Sequence, residues 1–393
     1  MSDPSDASEH DPEVLALIRD EIARRGAITF ARFMELALYA PGAGYYMRDA
    51  ERIGPRGDYY TSSNLHPLFG ELIAKQLVQM AERLGPLPVT FIEQGAGRGA
   101  LAFDIVHALV HATHLPAWRY LIVERSPAMI ARQRLLLEPV LASGRVEWAD
   151  GLPTEPLDGC VLSNELVDAF PVHRVVQKDG RLQEIFVDAA GEGVAERVDT
   201  PSTPALAAYL DRVGVTLDEG QQAEINLAAI DWMRAVGRSL RRGFVLTIDY
   251  GYPADELYDS SRRRGTLLAY HQHRAGEAFF ERIGRQDLTA HVDFTTLAWA
   301  GRGADLEVEG FADQTSFLLG LGAHDAAERL LAAATDAAER ERTLASIRGL
   351  LDPHDMGRLF KVLIQRKGVP PSRLLGLSLG SGRAGRLGPA TAR

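Results

Sequence analysis

The sequence predicts an α/β protein built around an open, mostly parallel β-sheet. From about residue 89 onward, short apolar runs alternate with segments of helical spacing. The runs are continuously apolar, which is typical of strands buried on both faces. Parallel strands need crossover connections, and the helical segments between the runs supply them. With 393 residues, 46% of them hydrophobic, the chain has enough apolar surface to bury such a sheet.

The N-terminal part of the chain predicts helices in front of the sheet. Asp11 can cap a first helix, and Thr29 can cap a second, because a side-chain oxygen at this position accepts from the first free N–H groups. A loop rich in Gly, Tyr and Ser follows over about 42–66. A third helix is expected from Pro67 to about Leu84.

Seven apolar runs predict the strands of the sheet. They lie at 89–95, 119–125, 145–150, 159–165, 243–251, 304–311 and 358–368. Helical spacing at 99–110 and 127–137 separates the first three runs, and 314–350 also has helical character.

The alternation breaks in two places, which predicts two insertions. In the first, at about 172–242, polar and apolar residues alternate around Asp179-Gly180, a strong signal for a β-hairpin, and 222–242 has helical spacing. The second insertion covers about 252–298.

These boundaries divide the chain into four parts. They are a disordered N-terminus (1–10), a helical extension with a loop (11–85), the sheet domain with its two insertions (86–368), and a disordered tail rich in Pro, Gly, Ser and Arg (369–393).

Composition excludes several classes of partner and site. The formal charge of -10 provides no overall positive field for nucleic acid or an anionic membrane. The single cysteine, Cys160, cannot form an internal disulfide or a zinc cluster. The N-terminus is acidic and polar, unlike a secretory signal, and no apolar run is long enough to cross a bilayer. We therefore predict a soluble, cytoplasmic protein without membrane insertion.

A glycine-rich stretch, FIEQGAGRGALAFDI at 91–105, predicts a cofactor site. Gly95, Gly97 and Gly99 lie between the first strand and its helix, where bare backbone and helix N–H groups can approach a ligand. A purely structural tight turn is the alternative. The pattern Gly95-x-Gly97-x-x-Ala100 also satisfies a variant dinucleotide fingerprint, so the loop by itself leaves the cofactor open.

Acidic residues at the strand ends favour S-adenosyl-L-methionine over a dinucleotide. Glu93, two residues before the first glycine, would repel a pyrophosphate but can hold the ammonium of a methionine moiety. Glu124 ends the second strand, where a carboxylate can bind ribose hydroxyls. Asp150 ends the third strand, where an acid can meet the adenine amino group, although Asp150-Gly151 is also a turn signal.

The stretch SNELVDAFPVHRVV at 163–176 predicts the reaction centre. The fourth strand delivers Asn164 and Glu165 to the cofactor crevice, and Pro171 prevents a long helix. Glu165 and Asp168 then lie three residues apart on one side of a short turn. Such paired acids can bind a guanidinium, orient one nitrogen and accept its proton. The structural alternative is that Asn164 caps the turn and Asp168 is a surface acid.

A group of histidines in the second insertion raises the question of a metal. The spacing of His271, His273, His291 and Asp293 matches no standard metal signature, so we predict no metal site. His291 and Asp293 are instead expected to line a substrate channel or to form structural hydrogen bonds.

Nine blocks of the sequence, in collinear order over about 12–368, resemble the MidA-like methyltransferases, a family that includes the mitochondrial complex I assembly factor that methylates arginine. The blocks lie at 28–46, 57–77, 91–105, 123–133, 164–174, 248–252, 264–274, 286–298 and 357–368.

The resemblance implies a Rossmann-like class I methyltransferase sheet, mostly parallel with an antiparallel last strand. It also implies an N-terminal helical extension and insertions after the fourth and fifth strands. The block at 57–64 is expected to fold over the cofactor, which would bring Asp58, Tyr60 and Thr61 to the site. Gln94 and Ala100 depart from the family pattern, where an aliphatic residue and Thr are expected.

For the substrate, the resemblance implies methylation of arginine in a protein, with a respiratory complex I subunit as the candidate partner. Methylation of a small molecule or of another protein side chain is the first alternative. A non-catalytic assembly or scaffold protein is the second, and the intact glycine loop and acids count against it. A hydride-transferring dehydrogenase is the third, and it would bind NAD.

Overall fold

The fold is an α/β core with an antiparallel sheet and a small three-stranded sheet packed beside it. The computed structural model describes residues 10–48, 66–86, 88–112, 114–115, 117–352, 356–380 and 385–387. Within these ranges no helix is both long and apolar enough to cross a membrane.

The helices follow the predicted spacing closely. In chain order they are α1 Pro12–Arg25, α2 Phe30–Tyr39, α3 Leu68–Leu84, α4 Ala100–His111, α5 Pro127–Leu141, α6 Ala205–Val213, α7 Leu227–Ser239, α8 Ala254–Leu257, α9 Phe294–Arg302, α10 Gln314–Gly320, α11 Ala323–Ala333, α12 Ala337–Leu351 and α13 Met356–Leu359.

The strands in chain order are β1 Ile28–Thr29, β2 Val89–Gln94, β3 Trp118–Val123, β4 Val146–Ala149, β5 Leu157–Asn164, β6 His173–Lys178, β7 Arg181–Ala190, β8 Gly193–Asp199, β9 Gln222–Ile225, β10 Leu240–Tyr252, β11 Leu268–His271, β12 Arg274–Gly276, β13 Asp287–Thr289, β14 Val292–Asp293, β15 Glu307–Asp313 and β16 Phe360–Lys367.

The central sheet has the order β15-β16-β10-β5-β2-β3-β4, and β14 pairs with the end of β10. Strands β4, β3, β2, β5 and β10 are parallel to one another, whereas β16 is antiparallel to both β10 and β15. The predicted fold class is thereby confirmed. Phe91 and Ile92, adjacent on β2, belong to different apolar clusters on the two faces of the sheet. This burial on both faces explains why the strands are continuously apolar.

The helix caps predicted from single residues are present. The side chain of Asp11 accepts from the backbone N–H groups of Glu13 and Val14, and Thr29 accepts from Arg32 N. These bonds satisfy donors that a helix start leaves open.

The first insertion forms an antiparallel sheet of order β1-β7-β6-β9, with β8 on the other side of β7. Asp179 and Gly180 form the predicted hairpin, with φ of 54° and 69°, as a two-residue turn of type I′ requires. β1 pairs with β7 and so attaches the N-terminal extension to this insertion. The helix predicted over 222–242 begins only at Leu227, because residues 222–225 pair with β6.

The described part of the C-terminal segment corrects the prediction of a disordered tail. Val369, Leu374, Leu377 and Leu387 are each 7% exposed or less and pack into the two apolar clusters of the sheet domain. Composition alone predicted disorder because it does not show that these few apolar residues meet a complementary surface.

Candidate active site

A cleft of about 1410 Å³ opens at the carboxyl ends of the central strands. The glycine loop after β2, the end of β3, and the turn after β5 line one part of it. The end of β10, α2, α7 and the small sheet line the remainder. Ligands of open parallel sheets bind at this edge, where the loops of adjacent strands diverge.

The three predicted glycines adopt the conformations that favour glycine. Gly95, Gly97 and Gly99 have φ of 75°, 52° and 90°, all in the left-handed region. A Cβ on Gly95 would lie 2.8 Å from Leu166 Cδ1, so a side chain there would collide with the turn after β5. The loop is therefore both conformationally demanding and closely packed. Gly95 and Gly97 line the cleft, whereas Gly99, also predicted to bind the cofactor, does not.

Gln133 on α5 fixes the glycine loop to the second strand end. Its side chain is fully buried, and Nε2 donates to the carbonyl of Gly97 at 2.8 Å and to Glu124 Oε2 at 3.2 Å. Its Oε1 accepts from the indole N–H of Trp148 at 2.9 Å. One buried amide thus orients two predicted cofactor-binding elements.

Gln94, which departs from the family pattern, also has a structural partner. Its Oε1 accepts from the indole N–H of Trp232 at 2.9 Å, and the Trp232 ring packs edge-to-face on Phe170. The polar residue therefore ties α7 to the end of β2.

Glu93 lines the cleft and is 2% exposed. The hydroxyl of Tyr120 donates to its Oε2 at 2.7 Å. Burial raises the pKa of Glu93 to about 7; the Tyr120 bond lowers this pKa, and the charge of Glu124 raises it further. A cationic group in the cleft would stabilise the charged form of Glu93.

We propose that Glu93 holds the ammonium of the cofactor, and this role predicts a pH dependence of binding. Below about pH 7 the carboxyl is increasingly protonated, so binding must expel a proton. The affinity for S-adenosyl-homocysteine should therefore fall by up to about tenfold per pH unit below pH 7. Calorimetry at pH 5.5, 6.2 and 7 measures this slope.

The matched variants for this prediction are Glu93→Gln and Tyr120→Phe. The amide cannot titrate, so the slope should flatten. Loss of the Tyr120 hydroxyl should move the midpoint to higher pH, because a bond that lowers the pKa is gone. An unchanged slope in Glu93→Gln would assign the titration to another group.

The second and third strand ends differ in their exposure. Glu124 Oε1 accepts from the backbone N–H groups of Arg125 and Ser126 at 2.8 and 2.9 Å, and the residue lines the cleft. Burial raises the pKa of Glu124, and these bonds oppose the rise. Asp150 is exposed, and the cleft beside it is lined by Gly151 and Leu152. The structure therefore does not bring the Asp150 side chain into the cleft.

The turn after β5 brings Asn164, Glu165 and Asp168 to the cleft together. Asn164 Nδ2 donates to Glu165 Oε1 at 3.0 Å, and Glu165 has a left-handed φ of 51°. Asn164 and Asp168 are 9% and 6% exposed, yet the Oδ1 atom of each has no hydrogen-bond partner among the described residues. Two buried acceptors thus line the cleft without a donor from the described part of the chain.

Asp249, at the end of β10, holds this turn in place. It is fully buried, and its Oδ2 accepts from the backbone N–H groups of Leu166, Val167 and Asp168 at 3.2, 2.9 and 3.4 Å. Its Oδ1 accepts from Tyr250 N at 2.9 Å. Without this carboxyl, four backbone N–H groups would lose their acceptor, and the loss would cost about 1–3 kcal/mol for each of the two buried ones, those of Val167 and Asp168.

The acids of the turn and of β10 influence each other. Burial raises the pKa of Asp168 to about 6, and a hydrogen bond from the Tyr250 side chain opposes the rise. Burial and then the charge of Asp168 raise the pKa of Asp249. A carboxyl that titrates near neutral pH can both bind a cation and accept a proton.

The remaining residues predicted for the site differ in where the structure places them. Asp58, Tyr60 and Thr61 lie outside the described residues. His291 lines the cleft, and burial lowers its pKa to about 4, with the charges of Arg262 and Lys361 adding to the effect. The imidazole is thus neutral at physiological pH.

Asp293 has a structural role at the start of α9. Its side chain accepts from the N–H groups of Thr295 and Thr296 and from the hydroxyl of Tyr209. It is absent from the cleft lining, so of the two roles predicted for it the structure agrees with structural hydrogen bonds and not with a place in a channel wall. His273 lines the cleft, whereas His271 does not. Among the described residues, no group of three or more His, Cys, Asp or Glu side chains is placed to hold a metal ion.

Gln133 and Asp249 are two of the site residues that the sequence analysis missed. Gln133 lies in a helical stripe with Met129 and Leu137, and Asp249 follows the largely apolar run at 244–248 of β10. A polar residue in an apolar pattern was the available signal, because such a residue must find a buried partner.

The residues present fit S-adenosyl-L-methionine. The glycine loop presents the backbone of Gly95 and Gly97 to the cleft, and carboxylates lie at the ends of two adjacent strands. Asn164 Oδ1 adds a buried acceptor that needs an N–H donor. An ammonium, ribose hydroxyls and a sulfonium charge are the groups that these acids and acceptors can bind.

Comparisons with known proteins agree with this assignment. A family model described as putative S-adenosyl-L-methionine-dependent methyltransferase matches residues 72–312. The crystal structure of a likely methyl transferase from Burkholderia thailandensis, bound to S-adenosyl-homocysteine, has 34% sequence identity to this chain and a TM-score of 0.88. The match covers 97% of this chain and 98% of that one.

Curated relatives are also similar over most of their length. The Drosophila melanogaster protein arginine methyltransferase NDUFAF7 homolog, mitochondrial, is 29% identical over 91% of this chain and 85% of its own. The human protein arginine methyltransferase NDUFAF7, mitochondrial, is 25% identical over 91% and 83%. These relatives are named mitochondrial, which contradicts the cytoplasmic location predicted from the sequence.

Proposed function

The chain belongs to the family of putative S-adenosyl-L-methionine-dependent methyltransferases, and from this premise we propose that it methylates arginine in a protein substrate. It is thus an enzyme that uses S-adenosyl-L-methionine as its methyl donor. What requires argument is the acceptor.

One observation carries the choice of a guanidinium. Asp168 is buried and lines the same cleft as the glycine loop; Tyr250 donates a hydrogen bond to its carboxyl, but its Oδ1 has no hydrogen-bond donor among the described residues. A buried carboxylate oxygen without a donor is costly, so a ligand that brings both positive charge and N–H donors is favoured here. Glu165, three residues earlier on the same turn, can bind a second N–H of the same planar group.

The turn can also support the chemistry. When bound, S-adenosyl-L-methionine supplies a methyl group on a positively charged sulfur that a nitrogen lone pair can displace. As the N–C bond forms and the C–S bond breaks, the methylated guanidinium loses one proton. Asp168, whose pKa is about 6, can accept that proton, while Glu165 keeps the nitrogen oriented. Asp249 holds both acids through the backbone of the turn.

The names of the curated relatives support a protein as the methyl acceptor. We take a subunit of respiratory complex I as the candidate partner, on the resemblance described above. The cleft is large enough to admit an extended side chain beside the cofactor.

The experiment compares methylated residues in cells with and without the gene by mass spectrometry. Loss of a methylarginine on a protein is expected, and its return should require the wild-type gene and fail with Glu165→Gln. A methyl group lost from a metabolite, with every methylarginine retained, would contradict the proposal.

A further inference from the structure

The part of the cleft that faces the turn after β5 is built by segments far apart in the chain. α2 contributes Tyr39, whose hydroxyl donates to the carbonyl of Ala169 at 2.8 Å. The small sheet is attached through Ala290 N, which donates to the carbonyl of Asp168 at 2.9 Å. The N-terminal extension and the second insertion thus both contact the turn after β5 directly, and both line the cleft.

A second buried carboxyl lies in this part of the cleft. Asp287 on β13 is 2% exposed and lines the cleft. Its Oδ1 accepts from the hydroxyl of Tyr46 at 2.7 Å and from Leu288 N at 2.9 Å. Tyr270 is its cross-strand neighbour on β11, and Tyr270 also lines the cleft.

Aromatic rings surround the two carboxyls. Tyr39 and Tyr46 stack at 5.5 Å between ring centroids, and Tyr250 donates to Asp168. Burial raises the pKa of Tyr39, and the charges of Asp287 and Asp168 raise it further. Burial and the same two charges raise the pKa of Tyr270. The contacts place the rings accordingly: Tyr270 lies opposite Asp287 on the neighbouring strand, and Tyr39 donates to the residue that follows Asp168.

This combination selects a particular kind of cation. Asp168 and Asp287 place two buried carboxyls in this part of the cleft, and Asp168 Oδ1 is a buried acceptor that has no donor among the described residues, so a cation with several N–H donors is complementary to it. Ring faces favour a planar, delocalised cation over a compact, strongly hydrated ammonium. A guanidinium has both the positive charge with several N–H donors and the planar shape. A neutral urea group has the planar shape but lacks the charge.

We propose that Asp287, with the rings of Tyr39 and Tyr270, is the specificity-determining wall of the acceptor pocket and holds the substrate guanidinium against Asp168. This inference rests on the proposed function, because it deepens the choice of acceptor at the same site. It assigns to the second insertion the task of distinguishing arginine from lysine.

The test measures binding of three probes to protein saturated with S-adenosyl-homocysteine. The probes are N-acetyl-arginine amide, N-acetyl-lysine amide and the uncharged N-acetyl-citrulline amide, used at millimolar concentration in calorimetry. The wild-type protein should bind the arginine probe at least about tenfold more tightly than the other two, because only the guanidinium combines a positive charge with a planar set of N–H donors.

Variants locate the effect. Asp287→Asn keeps an acceptor for Tyr46 and Leu288 but removes the charge, so affinity for the arginine probe should fall at least about tenfold while affinity for S-adenosyl-homocysteine is unchanged. Tyr270→Leu should lower the affinity for the arginine probe. Tyr270→Phe should not, because the proposed contact uses the face of the ring and not the hydroxyl. Asp231→Asn, which removes a charge from an exposed residue at the cleft rim, should leave probe binding unaltered.

The outcomes separate this inference from the proposed function. Suppose that Asp287→Asn binds the arginine probe as tightly as wild type, while cells without the gene still lose a methylarginine. The role assigned to Asp287 would then be wrong, and arginine methylation would still be supported. If wild type does not prefer the arginine probe over citrulline, the wall is overturned. Loss of a metabolite methyl in the cellular comparison overturns both.

Discussion

Replacing Glu165 by Gln is expected to reduce turnover at least about 100-fold and to leave cofactor affinity unchanged. A 100-fold loss is the effect expected when a positioned catalytic carboxylate is removed. The amide can still accept the bond from Asn164 Nδ2, so the turn should keep its conformation. The removed charge would otherwise bind the guanidinium and orient its nitrogen toward the methyl carbon. Methyl transfer to an arginine-containing substrate and calorimetry with S-adenosyl-homocysteine measure the two quantities.

The matched control is Asp231→Asn, which makes the same carboxylate-to-amide change at an exposed position of the same cleft. It should retain turnover within about threefold, since an exposed charge is well screened. Wild-type turnover in Glu165→Gln would show that the carboxylate has no catalytic role. Loss of cofactor affinity in that variant would instead place Glu165 in the cofactor site.

Gly97→Val is expected to abolish measurable binding of S-adenosyl-homocysteine. Gly97 has a φ of 52°, and a β-branched residue is strongly disfavoured there. Its carbonyl accepts from Gln133, which also binds Glu124, so a shift of the loop would be transmitted to the second strand end. The added side chain would also occupy the surface that the cofactor must approach.

Gly144→Val separates backbone strain from the site. Gly144 has a comparable φ of 66°, and a Cβ there would meet no atom within 4 Å. Both variants should lose about 1–2 kcal/mol of unfolding free energy from the left-handed conformation. Only Gly97→Val should lose the ligand. Equal binding in the two variants would remove the glycine loop from the cofactor site.

Local signals predicted the central fold well because they act over a few residues. Continuous apolar runs identified β2, β3, β5 and β10, and caps at Asp11 and Thr29 began the right helices. The tail was misjudged for the opposite reason. Its buried leucines are few, and their value depends on a surface formed by distant parts of the chain.

Within the site, the sequence predicted which side chains lie at strand ends. It did not predict which residues from distant parts of the chain contact them. Glu93, Glu124 and Asn164 follow from the rule that parallel strands present their carboxyl ends at one edge. Nothing local indicated that Asp249 would bind the backbone of residues 166–168, or that Asp287 would share a pocket with Asp168. The Asp150 side chain is exposed at its strand end, because position on a strand does not determine the final orientation of a side chain.

The amino-acid sequence by itself determined the parallel sheet, the glycine loop and the acids at its edge, since periodicity, φ preference and strand direction are encoded within short segments. The tertiary structure alone decided which of these acids face the same cleft, which carboxyl fixes the turn after β5, and which insertion completes the cleft beside that turn. These features arise from contacts between residues more than eighty positions apart. Their energies depend on burial and partners that exist only once the chain has folded.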